Sequence, residues 1–220
     1  MQPTDVKAAY TPEAYNSLPG LKSASQRLQD SGGESIITGP IRDIFMRHKV
    51  NKAYGVALLH KHFSIKPTER LVDIRNVSSP WQTGGDTDPV LKKYNGVIVP
   101  RSLRFLNGDL LPYEFDFSAE EPSTESNAEF LQQLSAFLHQ NGLEEVLGLR
   151  LLESRDPNVS VEVTEGTSNI MMPRGAVDTQ QLIPAMWVFS TDGDDFCDCV
   201  EYCYSDRDGS HTGDGTHGCG

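Results

Sequence analysis

Residues 54–63, Tyr-Gly-Val-Ala-Leu-Leu-His-Lys-His-Phe, form an apolar run that closes on a His-x-His pair. Strand side chains alternate faces, so Val56, Leu58, His60 and His62 share one side while Ala57, Leu59, Lys61 and Phe63 share the other. Both faces are apolar until the strand reaches the histidines, which places the pair at the rim of a core or the mouth of a pocket.

Upstream, Ile41, Ile44, Phe45 and His48 fall at helical spacing, with Thr38 as cap and Pro40 in the first turn, and this pattern predicts a helix over 40–49. Residues 1–33 mix Pro, Ser, Gly and charge, and read as an N-terminal extension that packs loosely. Downstream, Lys66–Glu69 reads as a turn and Arg70–Val77 as a strand, which together with the opening strand suggests a hairpin. Ser78–Pro89 lacks periodicity and reads as a loop carrying Trp81. Gly96–Leu106 and Leu111–Phe117 flank Asn107-Gly108-Asp109, the strongest hairpin turn of the sequence. In the second arm Tyr113, Phe115 and Phe117 share one face; with these inward, Glu114 and Asp116 are expected in solvent. A capping box at Ser126–Glu129 opens a helix with a Phe130, Leu131, Leu134, Phe137, Leu138 stripe, and Asn141-Gly142 ends it. Residues 146–152, 159–164 and 185–189 supply three further strands, with a second long loop over 165–181.

The order of helix, four strands, helix, three strands predicts an α+β fold: a mainly antiparallel sheet or distorted barrel of about seven strands flanked by two main helices. The expected organisation is an N-terminal extension over 1–33, a single α+β domain over 34–190, and an acidic, Cys/His-containing C-terminal tail over 191–220.

Hydrophobic residues make up 37% of the chain and charged residues 23%, with 19 Gly and 13 Pro, which fits a turn-rich globular protein. No apolar run approaches the roughly 18 residues of a membrane span, and the start carries no secretory pattern, so an intracellular, cytoplasmic setting without membrane contact is expected. The net charge of −12 divides unevenly: residues 1–110 carry 15 Lys and Arg against 10 Asp and Glu, and residues 111–220 carry 4 against 21. An acidic chain without interleaved basic and aromatic residues is a poor nucleic-acid binder, and none is expected as a partner. Phosphate loops, dinucleotide fingerprints, nucleophile elbows and His-Glu-x-x-His are all absent, which argues against the commonest nucleotide enzymes, hydrolases and metalloproteases.

Two constellations carry chemistry. On a strand, His60 and His62 stand roughly 7 Å apart at Cα and can converge on one divalent metal such as zinc, or work as acid and base. Glu69 is the nearest candidate third ligand, Glu114 and Asp116 are candidate catalytic carboxylates, and Arg101, Arg104 and Trp81 are candidates to hold an anionic small-molecule substrate. The spacing around the pair departs from the cupin-type pattern, and no family follows from it. The second constellation is Cys197, Cys199, Cys203, His211, His217 and Cys219, a possible zinc site in the tail. The expected function is therefore a small-molecule enzyme with its pocket at His60 and His62. The alternative is a non-catalytic binding or scaffold protein whose Cys/His tail takes up zinc.

Overall fold

The computed structural model describes residues 10–83, 93, 96–106, 108–119, 127–152, 159–173, 175–190 and 197–204. Ten strands close into one barrel: β1 (Tyr54–Leu58), β2 (Glu69–Ile74), β3 (Val77–Gln82), β4 (Val97–Leu106), β5 (Asp109–Ser118), β6 (Leu147–Leu151), β7 (Val159–Glu165), β8 (Ser168–Pro173), β9 (Leu182–Phe189) and β10 (Cys197–Tyr204). Around the barrel they run β1-β6-β4-β5-β2-β3-β8-β7-β10-β9, and β9 returns to β1. The β2–β5 and β7–β10 pairs are parallel, so the sheet is mixed.

This corrects the expected seven-strand sheet between two main helices. Each of the seven expected strands is present, and three more lie in the expected loops and tail: β3, β8 and β10. Val-Ser-Ser-Pro-Trp-Gln, Ser-Asn-Ile-Met-Met-Pro and Cys-Asp-Cys-Val-Glu-Tyr-Cys-Tyr lack the clean apolar alternation of a half-buried strand. The expected β1–β2 hairpin is also absent, because β1 pairs with β6 and β9 while β2 pairs with β3 and β5.

β4 does pair with β5 where the hairpin is expected, Leu106 opposite Asp109; Asn107 of the expected turn lies outside the described residues, and Gly108 adopts φ 85 with open space around it. Gly108→Ala is expected to cost about 1 kcal/mol through backbone strain alone, seen as a lower urea midpoint with an unchanged slope. Pro100 lies in β4 at a register shift, as a residue without an N–H to give the ladder requires.

Helices pack against the barrel: α1 (Pro12–Asn16), α2 (Leu21–Asp30), α3 (Gly33–Ile36), a π turn (Ile37–Ile41), α4 (Arg42–His48) and α5 (Ala128–Gln140). Leu21, Ala24, Ile41, Phe45, Phe130 and Leu134 pack with Tyr54, Val56, Leu58, Leu147, Leu149, Trp187 and Phe189 in the main core. Alternation then sends Gly55 and Ala57 of β1, and Gly148 and Arg150 of β6, to the lumen. A Cβ at Gly55 would stand 2.9 Å from the Trp187 carbonyl, so this glycine permits the close β1–β9 approach that seals the barrel. Asn127 caps α5 by accepting from the Phe130 amide, one residue beyond Ser126, the first residue of the expected capping box, which lies outside the described residues.

Within the expected N-terminal extension, the stretch from Ala14 to Ala24 packs closely rather than loosely, and residues 1–9 lie outside the described residues. Tyr15, Leu18, Leu21 and Ala24 are buried, and Ala14, Tyr15 and Leu18 join Leu59, Ile65, Leu71 and Tyr113 in a second apolar cluster. β10, from the stretch read as a tail, is a barrel strand between β7 and β9.

Candidate metal centre

β1 ends at Leu58, so the histidines follow the strand rather than sit within it. The segment that carries them is held from two sides. The Leu59 amide donates to the Val146 carbonyl at 2.8 Å, and the Lys61 amide donates to the Pro19 carbonyl at 2.9 Å. Lys61 Nζ also donates to the Asn16 carbonyl, while the Asn16 side-chain amide both donates to and accepts from the backbone of Ile65. The N-terminal helices thus act as a clamp on the His-x-His turn.

Within that turn the two imidazoles meet. His60 Nδ1–H donates to the Leu58 carbonyl at 2.9 Å, which leaves the Nε2 lone pair of the neutral ring pointing inward. His60 Nε2 lies 3.1 Å from His62 Nε2, and the rings are nearly perpendicular at 76°. Two further groups arrive from β7 and β10, the third and second strands along from β1 through β9. Glu162 on β7 places Oε2 3.2 Å from His62 Nε2, and Cys203 on β10 places Sγ 3.3 Å from His60 Nε2, 3.8 Å from His62 Nε2 and 3.5 Å from Glu162 Oε2. The parallel β7–β10 register sets Cys203 directly beside Glu162. All four ligand atoms lie within 4.8 Å of one another. His62 is 4% exposed and Cys203 0%, the Glu162 side chain is 12% exposed, and His60 is half-buried, so the cluster meets solvent mainly at its His60 side. Cys203 is disulfide-bonded in this structure, so its sulfur is a weak donor here, and His60, His62 and Glu162 are the three strong ones.

Burial pushes His60 down to about 4, with His62 acting in the same direction, so the ring is neutral at pH 7 and has a lone pair to offer. Burial opposes ionisation of Glu162, but His62, His60 and Arg101 together hold its carboxyl well below the usual range. The His60 shift has a consequence for metal-free protein. Between about pH 6.5 and pH 4 the unfolded chain binds a proton at His60 that the folded chain refuses, so stability falls as pH drops through that window. The total loss is on the order of 3 kcal/mol. Thermal melts of chelator-treated protein from pH 7 to pH 4.5 should show this slope, and His60→Gln should flatten it.

Next to the cluster lies a chain of ion pairs. Arg101 Nη1 donates to Asp73 Oδ2 at 2.8 Å and to Ser78 Oγ at 3.2 Å, and its Nε lies 3.6 Å from Asp116 Oδ1. Arg150 donates to Glu114 Oε2 at 2.7 Å, to Glu201 Oε2 at 2.8 Å and to Ser102 Oγ, and Ser102 in turn donates to Glu114 at 2.6 Å. Glu114 and Asp116 therefore point into the protein, against the expectation that they face solvent. Tyr15 lies close by, its phenol pushed up by burial and by the fields of Glu114 and Glu162.

The other candidate residues lie elsewhere. Glu69 accepts from the Lys66 amide and from Gln82 Nε2, bracing the β2 turn, and the carboxylate beside the histidines is Glu162 instead. Arg101 is engaged by Asp73 and Asp116, and Arg104 donates to the Ala14 carbonyl and to Ser17 Oγ, tying β4 to α1. Trp81 sits on β3 near Phe117, against the cluster of Val72, Ile98 and Phe115, rather than on a covering loop. Of the supposed tail site, Cys203 joins the histidines. The side chains of Cys197 and Cys199, and all of His211, His217 and Cys219, lie outside the described residues. His48 is a structural partner of Gln133 at 2.7 Å.

Fold and site together define a closed mixed β-barrel with a buried His-His-Glu-Cys cluster. No protein-family profile, curated protein or solved structure matches the chain. No helix among the described residues is long and apolar enough to cross a membrane.

Proposed function

We propose that this barrel binds a divalent cation of the zinc class through His60, His62 and Glu162, with the Cys203 sulfur at the fourth corner. The separations of the ligand atoms carry this reading. A tetrahedral ion with the usual bonds to nitrogen and sulfur sets ligand atoms about 3.3–3.7 Å apart, and five of the six pairs in the cluster stand at 3.1, 3.2, 3.3, 3.5 and 3.8 Å, with the sixth, His60 to Glu162, within 4.8 Å. Protons alone account poorly for such convergence. With His60 Nε2 a lone pair, one N–H on His62 cannot point at His60, Glu162 and Cys203 together, whereas a cation at the centre satisfies all of them. Local charge supports the same conclusion: among the described residues the network holds Asp73, Glu114, Asp116, Glu162 and Glu201 against Arg101 and Arg150.

Two imidazoles and one carboxylate form the ligand set of hydrolytic zinc centres, whose fourth position is open to water or substrate; here the Cys203 sulfur stands beside that position, which is open for chemistry only while the sulfur does not coordinate. A bound ion there supplies Lewis acidity, and we assign the site to small-molecule chemistry on that ground. His60, His62 and Glu162 hold the ion, and the clamp from α1 fixes the turn that presents both imidazoles. The competing role, a scaffold protein with a zinc-binding tail, makes a different demand on the chain. Metal analysis of full-length protein is expected to find about one ion per chain, lost in the His60→Ala, His62→Ala double variant and kept when His211, His217 and Cys219 are replaced together. The reverse pattern assigns the ion to the tail.

A further inference from the structure

Ser25 and Gln29 stand at i and i+4 along α2, a spacing that sets both on one face of the helix. At Gly32 the chain reverses with φ 67, and it continues into α3 through Glu34 and Ser35. All four side chains line a cleft whose strand side is built by Trp187 of β9 and Tyr202 of β10. Its volume is about 530 Å³, within the roughly 300–1,000 Å³ of small-molecule sites. We propose that this cleft is a second binding site, for a neutral polyhydroxylated ring: a mono- or disaccharide. Tyr202 and Cys203 are consecutive on β10, so their side chains leave opposite faces of the strand; Cys203 joins the histidines and Tyr202 the cleft. The site is therefore separate from the metal centre and does not rest on it.

The lining selects the ligand. Among the described residues no lysine, arginine or histidine lines the cleft, so a phosphate or carboxylate meets no counter-charge there, and Glu34 repels it. Ser25, Gln29, Glu34 and Ser35 make no side-chain hydrogen bond to another described residue, and together they offer both donors and acceptors. A sugar hydroxyl is itself donor and acceptor, and pairs with either kind. An apolar ligand would strip water from these four groups and return no hydrogen bond. The strand side supplies the other half of the match. Trp187 is 8% exposed and Tyr202 half-buried, both packed with the main core, so their rings are held in place and present part of their surface to the cleft. A fixed ring with one wet edge suits the C–H face of a sugar while the hydroxyls reach the helix side.

Saturation-transfer difference NMR on the full-length protein tests this with glucose, cellobiose, N-acetylglucosamine and, as the anionic counterpart of glucose, glucuronate. Chelator is present throughout, so no ion at the histidine cluster contributes. At least one neutral sugar is expected to receive saturation at its ring C–H protons, and glucuronate none. Gln29→Ala removes a donor and an acceptor from an exposed helix position, where folding is undisturbed, and should weaken that binding about twofold to tenfold. Tyr202→Ala should weaken it by a similar factor, with circular dichroism to confirm that the variant folds. Three results overturn the proposal: no saturation in any neutral sugar, glucuronate bound as tightly as glucose, or an affinity unchanged in Gln29→Ala. None of them bears on the metal site, which is read by metal analysis alone.

Discussion

Arg150→Met is expected to destabilise the barrel by about 3–5 kcal/mol, the cost of leaving a buried ion pair without one partner. Arg150 is 7% exposed and joins Glu114 of β5 to Glu201 of β10, with Ser102 of β4 in the same network. Methionine fills much of the volume but leaves both carboxylates without their guanidinium. For a chain of this length the loss corresponds to a fall in Tm of roughly 6–20 °C. Lys66→Met is the control: its amine pairs with Glu69 from an exposed position, so a change within about 0.5 kcal/mol is expected. Replacing Glu114 and Glu201 by Gln in the Arg150→Met background should recover part of the loss, since the uncompensated charges then disappear. A loss below 1 kcal/mol for Arg150→Met alone means the network does not hold these strands together.

Zinc at about one hundred times its Kd is expected to stabilise the folded wild type by about 2.7 kcal/mol, raising Tm by roughly 5–11 °C. The His60→Ala, His62→Ala double variant should show no rise, and Glu162→Gln a reduced one. The difference between melts with and without metal is the quantity compared, so any loss of intrinsic stability in the variants cancels. His62 is buried and will cost stability when truncated; that cost appears in both melts. An equal metal-induced rise in the double variant places the ion somewhere other than this cluster.

Local rules carried much of the fold. Apolar alternation and turn chemistry located the seven expected strands, and the Asn127 region opened α5 where the capping pattern placed it. The three missing strands share one physical cause. Apolar alternation marks a strand only where apolar residues face the core and polar ones face water, but this barrel buries polar groups. Ser78 of β3, Asn169 of β8 and Glu201 of β10 are all buried, so their strands carry the wrong polarity for that rule. The same inversion explains Glu114 and Asp116, whose periodicity was legible and whose direction was not.

The site divides along the same line. The sequence by itself determined that His60 and His62 lie together at the end of an apolar strand, because two residues of spacing suffice for that. Their partners were a matter of tertiary structure alone. Glu162 and Cys203 are about 100 and 140 residues away along the chain, and nothing in local pattern singles out one glutamate of a β7 reading Val-Ser-Val-Glu-Val-Thr-Glu. Closure of the barrel and the parallel β7–β10 register bring them to the histidines, and the clamp from the first helix fixes the turn that receives them. A pair of ligands is a local property of a chain; the third and fourth belong to the way it closes.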